Sequence, residues 1–241
     1  METHVYKPLR VGNLSLSLAD RREKIVELGI FLFLIVPSMA LSYFASNQDS
    51  VSFSLSAVAT IFRDLSLVSI VLFFLWRNRE SVRSIGWTVS SFWREFVLGV
   101  LLFFPVFYAS EYLENALHAA GFSTPSGPMP SFLFPRGSVE VMLATLMVLV
   151  VAIAEETIFR GYLILRFGAM VNNLAAVLLS VAVFVLGHGY EGSAGLVTVA
   201  FMGLIFALVY QWRRSLVAPM VMHFLQDFTV IVLPALLALL Q

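Results

Sequence analysis

Cysteine is missing from the 241 residues of this chain, which excludes disulfides, thiolate metal sites and a cysteine nucleophile. Charge is scarce as well. Asp, Glu, Lys and Arg make up 12% of the chain, whereas a soluble domain carries about 25%. The 15 basic and 15 acidic residues cancel, so net charge indicates no anionic partner, and we predict no nucleic-acid binding.

Apolar sequence takes the place of the missing charge. Hydrophobic residues make up 59% of the chain, and the mean hydropathy is +0.89. The apolar runs are continuous and lack the period-two alternation of a membrane β-barrel. Each of seven stretches approaches the roughly 20 residues that a membrane-spanning helix needs. The sequence therefore predicts an all-α, polytopic transmembrane bundle of about seven helices, near 25–45, 53–76, 95–112, 139–166, 173–188, 195–212 and 216–240.

The chain divides into four parts by composition. Residues 1–24 are polar and are not followed by a small-residue cleavage site, so we expect a cytoplasmic tail and no removable signal peptide. Three helices occupy 25–120, and a Pro/Gly/Ser-rich outer loop covers 121–138. The last four helices occupy 139–241.

Basic residues set the predicted orientation. If seven helices alternate in direction, all but one of the clustered Lys and Arg residues fall on a single side, and only Arg136 lies opposite. The positive-inside rule places that side, and the N-terminus, in the cytoplasm. The compact size and short loops indicate a multi-pass protein of a bacterial plasma membrane. The basic residues on the inner side are Lys7, Arg10, Arg21, Arg22, Lys24, Arg77, Arg79, Arg83, Arg94, Arg166, Arg213 and Arg214.

Ionisable residues interrupt three of the predicted spans. Glu155 and Glu156 are adjacent in the fourth, His188 ends the fifth, and His223 and Asp227 lie in the seventh. A charge at the centre of a bilayer costs about 3 kcal/mol on insertion scales, so such residues usually mark function. At 1.5 Å per residue, Glu155, His188, His223 and Asp227 lie about 14–22 Å from their cytoplasmic helix ends. The four residues therefore converge on one layer.

Spacing separates the two adjacent glutamates. Glu156 and Arg160 are four residues apart and can pair on one face, which predicts a structural ion pair. Glu155 points about 100° away around the helix, so it is available to another partner.

Two further pairs share a helix face because they are also four residues apart. His223 and Asp227 can act as a catalytic or metal-binding pair, or as a hydrogen-bonded contact between helices. Phe184 and His188 form the other pair, so the phenyl ring can pack beneath the imidazole. Considered without the other polar residues, His188 can instead mark a helix end that is in contact with water.

Arg63 and Asp64 are adjacent in the second span. Neighbouring residues on a helix do not face each other, so we expect each to find a partner on another helix. A contact with substrate is the alternative.

Three motifs follow one another in the C-terminal half: Glu-Glu-Thr-Ile-Phe-Arg at 155–160, Phe-Val-Leu-Gly-His at 184–188 and His-Phe-Leu-Gln-Asp at 223–227. This set resembles the CPBP family of CAAX proteases and bacteriocin-processing proteins, also called the Abi or self-immunity family. The resemblance covers roughly 139–227, and it implies that the four helices of 139–241 form a catalytic CPBP-like membrane core. It departs from many relatives at Asp227, where they have Asn.

The resemblance implies an intramembrane endopeptidase that cleaves a membrane-associated protein or peptide, with or without a lipid attached. Glu155 would activate the attacking water as general base, and His188 would hold or polarise that water. His223 and Asp227 would line the oxyanion site, although an aspartate donates only when protonated and can instead orient His223. Glu156, Arg160 and Phe184 would support them. No cofactor is required in this scheme.

Three alternatives remain open. Glu155, His188 and His223 form a set of two histidines and one glutamate that suits catalytic zinc, although no His-Glu-x-x-His motif is present. A non-catalytic membrane scaffold or bacteriocin-immunity protein is the second alternative. The third is a transporter, because buried carboxylates and histidines also relay protons.

Overall fold

The computed structural model describes residues 18–45, 52–88, 90–123 and 134–240. The predicted tail before residue 18 and most of the predicted outer loop lie outside these ranges. Within them the chain is helical and contains no β-strand, which confirms the all-α prediction.

The described residues form seven helices, the number that the sequence predicts. Five of the helical segments are long and apolar enough to cross a membrane, namely Phe53–Arg77, Phe92–Ala119, Gly137–Gly168, Gly189–Arg213 and Val217–Ala238. The chain is therefore a multi-pass membrane protein. The first helix begins at Leu18, because the charged residues before the apolar part are already helical. The bounds are α1 Leu18–Ala45, α2 Phe53–Arg77, α3 Phe92–Ala119, α4 Gly137–Gly168, α5 Asn173–Leu186, α6 Gly192–Arg213 and α7 Val217–Ala238.

Close helix packing brings the core together. α2 lies along α4, α3 packs against α6 and α7, and α5 packs against the end of α4 and against α6. A side chain at Gly99 of α3 would place its Cβ 2.7 Å from the carbonyl oxygen of Ala218. Glycine is therefore required for α3 to approach α7, as small residues are at many membrane helix interfaces.

Helix α5 is too short to cross a bilayer. Its 14 residues span about 21 Å at 1.5 Å per residue, against a hydrocarbon core of about 30 Å. The side chain of Asn172 caps its first turn by accepting a hydrogen bond from Ala175 N (2.9 Å). A tight turn at Gly189–Glu191 then leads into α6. Irregular backbone at membrane depth is tolerated where protein buries it or where it lines a wet cavity.

Widened π-helical turns interrupt both α4 and α7, at Glu156–Leu163 and at Phe228–Val232. They begin directly after Glu155 and Asp227. The Ser180 hydroxyl of α5 donates to the carbonyl oxygen of Phe159 at 2.5 Å, which satisfies one backbone acceptor in the widened part of α4. Insertions of this kind are rare and frequently occur at functional sites. The last span is one helix that continues through these turns past Pro234.

The connection between α2 and α3 packs on the widened part of α4. A side chain at Gly161 would place its Cβ 2.8 Å from the carbonyl oxygen of Ile85, so this contact also requires glycine. The Trp87 indole N–H donates to the Thr157 hydroxyl at 3.0 Å, next to the paired glutamates. The connection between α2 and α3 thus holds the widened turn of α4 from the predicted cytoplasmic side.

A buried carboxylate ties α1, α2 and α4 together at the same end. Glu27 is 1% exposed. It accepts from Arg166 Nε (2.6 Å), Asn78 Nδ2 (2.6 Å), the Tyr162 hydroxyl (2.8 Å) and Arg77 Nη2 (2.9 Å). Two cations and two neutral donors therefore compensate this buried charge, as a low-dielectric site demands. Sequence spacing gave no sign of this cluster, because Glu27 and Arg166 lie far apart in the chain.

Topology can be tested with single cysteines, because the natural chain has none. Ser81 and Ser138 are both exposed, at opposite ends of the bundle. In Ser81→Cys the thiol should react with a membrane-impermeant maleimide only after the cell is opened. In Ser138→Cys it should react in intact cells, with the cysteine-free parent as background. Labelling of both from the same side contradicts the alternating arrangement.

Candidate active site

Glu156 lies at the centre of the polar residues and is fully buried. Its Oε1 accepts hydrogen bonds from Arg160 Nη1 (2.8 Å) and from His223 Nδ1 (2.8 Å). The pair with Arg160 is the one that the four-residue spacing predicts. The contact with His223 joins α4 to α7 across 67 residues of sequence, and the sequence reasoning missed it because nothing in the local spacing indicates it.

This bond sets the orientation of the His223 ring. A carboxylate oxygen only accepts, so Nδ1 carries the proton and donates it to Glu156. The other ring nitrogen, Nε2, faces Asp227 Oδ2 at 3.5 Å and Glu155 Oε2 at 3.8 Å. Glu155, His223 and Asp227 are thus brought together as the depth argument predicts. A histidine held through one nitrogen presents the other to its ligand in a fixed direction.

Glu155 differs from its neighbour in what it contacts. It makes no hydrogen bond within the described ranges, and its Oε2 is buried without a donor. Glu156 also keeps one oxygen without a donor, but its other oxygen holds both Arg160 and His223. Unpaired buried polar atoms are rare in folded proteins. Of the two adjacent glutamates, Glu155 is therefore the one that is available to a water molecule or a substrate.

Arg160 is held by rings and by backbone. Its guanidinium carbon lies 4.3 Å from the centre of the Phe184 ring and 5.4 Å from that of Phe206. Its Nη2 donates to the Gly203 carbonyl at 3.3 Å. A side chain at Gly203 would place its Cβ 3.0 Å from Phe184 Cδ1. Phe184 therefore supports the site by packing on the arginine, and Gly203 and Phe206 are supporting residues that the motifs did not reveal.

His188 stands beside this cluster. Its Nδ1 donates to the carbonyl oxygen of Phe184 (3.0 Å), and its ring lies 4.7 Å from the Phe184 ring. The Phe184 ring in turn meets His223 edge-on at 6.2 Å. Because Nδ1 donates, Nε2 of neutral His188 carries the lone pair. The structure shows no direct bond between His188 and Glu155, His223 or Asp227 among the described residues.

The expectation for Arg63 and Asp64 was wrong. Arg63 Nε donates to Asp64 Oδ1 at 2.8 Å, so the two residues pair with each other rather than with other helices. Side chains of adjacent helix residues leave the backbone in different directions. The arginine side chain is long enough to fold back around the helix and reach its neighbour. Both residues also interact electrostatically with Glu155.

No set of three or more His, Asp or Glu side chains is arranged to hold a metal ion in the part of the chain that the structure describes. In the candidate zinc set of Glu155, His188 and His223, the Nδ1 atom of His188 bonds the Phe184 carbonyl, which leaves Nε2 for a ligand. The zinc-dependent alternative therefore stays a prediction.

Residues 137–229 match the family described as type II CAAX prenyl endopeptidase Rce1-like. This match covers less than half of the chain and is consistent with the CPBP family. The match begins with α4 and ends in α7, so it contains all three motifs. It supports a membrane-embedded protease, in agreement with the resemblance. No curated protein and no solved structure shows significant similarity to the chain.

The ion pair between Glu156 and Arg160 predicts coupled stability. Glu156→Gln leaves a buried guanidinium without its anion, and breaking a buried pair in this way costs about 3–5 kcal/mol. Arg160→Gln should destabilise similarly. The double variant should lose less than the sum of the single variants, because the pair has then already been removed. Thermal unfolding of purified protein tests this, with exposed Glu111→Gln as control. Strict additivity would show that the pair contributes nothing.

Proposed function

We propose that this protein is an intramembrane endopeptidase that hydrolyses a peptide bond of a membrane-associated protein or peptide, with Glu155 as general base. One observation carries the proposal. Glu155 makes no hydrogen bond among the described residues and lies 3.8 Å from His223, whereas Glu156 is committed to Arg160 and His223. A general base must have an oxygen available to the water that it activates.

The reaction begins with a water molecule between Glu155 and the lone pair of His188 Nε2. Glu155 takes a proton from this water while the oxygen attacks the carbonyl carbon of the peptide. When protonated, His223 donates from Nε2 to the oxyanion that forms. The C–N bond then breaks, and the proton on Glu155 passes to the departing amine. The products are a carboxylic acid and an amine, and Glu155 returns to its starting state.

Asp227 supports His223 in this scheme rather than donating to the oxyanion. Its Oδ2 lies 3.5 Å from His223 Nε2, while His223 Nδ1 is bonded to Glu156. A protonated ring can donate through Nε2 while Nδ1 remains bonded to Glu156. Of the two roles implied by the resemblance, the geometry favours orientation of His223.

The position in the membrane determines how water and substrate reach the proposed site. The short α5 and the polar turn at Gly189–Glu191 favour a water-filled cavity that reaches the site, because unpaired backbone is not stable in lipid. We place the N-terminus in the cytoplasm of a bacterial cell and the protein in its plasma membrane, on the distribution of basic residues. The substrate approaches from or along the bilayer, with or without an attached lipid.

The substrate can be found through Glu155. Cells that carry Glu155→Ala should accumulate an uncleaved membrane precursor that wild-type cells process, measured by quantitative proteomics. A non-catalytic scaffold or immunity protein predicts that no precursor accumulates, and so does a transporter. Exposed Glu111→Ala is the matched control and should process normally.

Purified variants then distinguish the roles of the two adjacent glutamates. Glu155→Gln keeps the size of the side chain and removes the base, so cleavage of the precursor peptide should fall by about 10²–10⁴-fold. Thermal stability should stay near wild type, because no hydrogen bond is lost. Glu156→Gln should lower stability and activity together. A stable but inactive Glu156→Gln beside a fully active Glu155→Gln would mean that Glu156 is the base.

We also propose that the reaction needs no metal ion. The purified protein should carry substoichiometric zinc by elemental analysis, and cleavage should survive chelation. The zinc-dependent alternative predicts one bound metal per chain, lost in both His188→Ala and His223→Ala. That result would replace the metal-free mechanism.

A further inference from the structure

Arg63 places a positive charge deep in the bundle, outside the family-matched segment 137–229. It lies 14 residues before the end of α2 at Arg77, or about 21 Å from that end. This is close to the depth of the active site, and α2 packs along α4. A cation at this depth costs several kcal/mol, so a bare structural role is a poor explanation.

The pairing of Arg63 is incomplete. Asp64 is 2% exposed and accepts from Nε alone, at 2.8 Å. Neither Nη1 nor Nη2 has a hydrogen-bond partner within the described ranges, and the side chain is 47% exposed. Asp64 Oδ2 is buried without a donor. Asp64 therefore fixes one edge of the guanidinium and leaves its two terminal nitrogens open.

Arg63 stands on the helix that packs along α4 and its widened turn, and its charge interacts with the carboxyl group of Glu155. The other guanidinium of the site, Arg160, is already bonded to Glu156 and Gly203. Most other charges nearby are carboxylates, so Arg63 is the group suited to receive an anion there. Two terminal guanidinium nitrogens match the two oxygens of a carboxylate.

We propose that Arg63 binds the C-terminal carboxylate of the substrate peptide, with Asp64 as the residue that positions its guanidinium. This inference rests on the proposed endopeptidase function. A terminal carboxylate is the one anion that every linear peptide carries, whereas lipid phosphates lie at the bilayer surface. Binding the terminus would set the scissile bond at a fixed distance from the end of the chain, so Arg63 would determine where the enzyme cuts.

The test uses one precursor-derived peptide made as the free acid and as the C-terminal amide. Wild-type protein should cleave the acid with about tenfold or higher kcat/KM, mainly through KM, because a charged hydrogen-bonded pair is lost with the amide. Arg63→Gln should bring the ratio of kcat/KM for the acid to kcat/KM for the amide close to one. Arg63→Lys keeps the positive charge but lacks the two parallel donors of the guanidinium. Its kcat/KM for the acid should therefore lie between that of wild type and that of Arg63→Gln. Arg94→Gln, at an exposed arginine of α3, is the control.

Two further peptides identify the source of the carboxylate. Extending the free acid by one residue should move the cut by one residue toward the new end. Replacing Asp and Glu side chains in the peptide by Asn and Gln should change nothing, and a loss confined to that peptide would assign the anion to a side chain and overturn the proposal. Equal cleavage of acid and amide by wild type would also overturn it. If wild type cleaves neither peptide, the proposed function itself fails.

Discussion

The active site depends on one carboxylate oxygen that serves two helices. Glu156 Oε1 holds Arg160 on its own helix and His223 on α7. In water such contacts would be weak, but both groups are buried here, and removing one partner of a buried ion pair leaves an uncompensated charge. The orientation of His223 and the stability of the bundle at this point therefore rest on the same atom. Glu155 has no hydrogen-bond partner among the described residues, whereas its neighbour bonds both Arg160 and His223.

The widened turns explain how two adjacent glutamates obtain such different surroundings. The widened turn of α4 begins after Glu155. The backbone therefore changes pitch between Glu155, which faces His223 Nε2, and the stretch that carries Arg160. Such turns leave backbone groups unpaired, and the Ser180 hydroxyl restores one partner. The contacts of Ile85 and Trp87 hold the same turns from outside the bundle. The conformation is thus fixed by neighbours rather than by helix propensity.

Buried charged groups in the bundle differ in how many hydrogen bonds they make. Glu27 is matched by several donors at one end, as expected of a group whose role is structural. Near the site, by contrast, Glu155, Asp64 and Arg63 each keep polar atoms without hydrogen-bond partners among the described residues. Leaving such groups unpaired is costly in a medium without water, so the unpaired atoms beside Glu155 are candidates for contact with a ligand.

The sequence by itself determined the helical membrane fold, the depth shared by Glu155, His223 and Asp227, and the pair of Glu156 with Arg160. Each of these follows from hydrophobic runs or from helix periodicity, which are local properties of the chain. Only the tertiary structure decided that Glu156 also holds His223, that His188 stands behind Phe184, and that Arg63 turns back to its neighbour Asp64. These contacts depend on how far helices approach, on glycines such as Gly203, and on the widened turns, and none of these is encoded in residue spacing along a single helix.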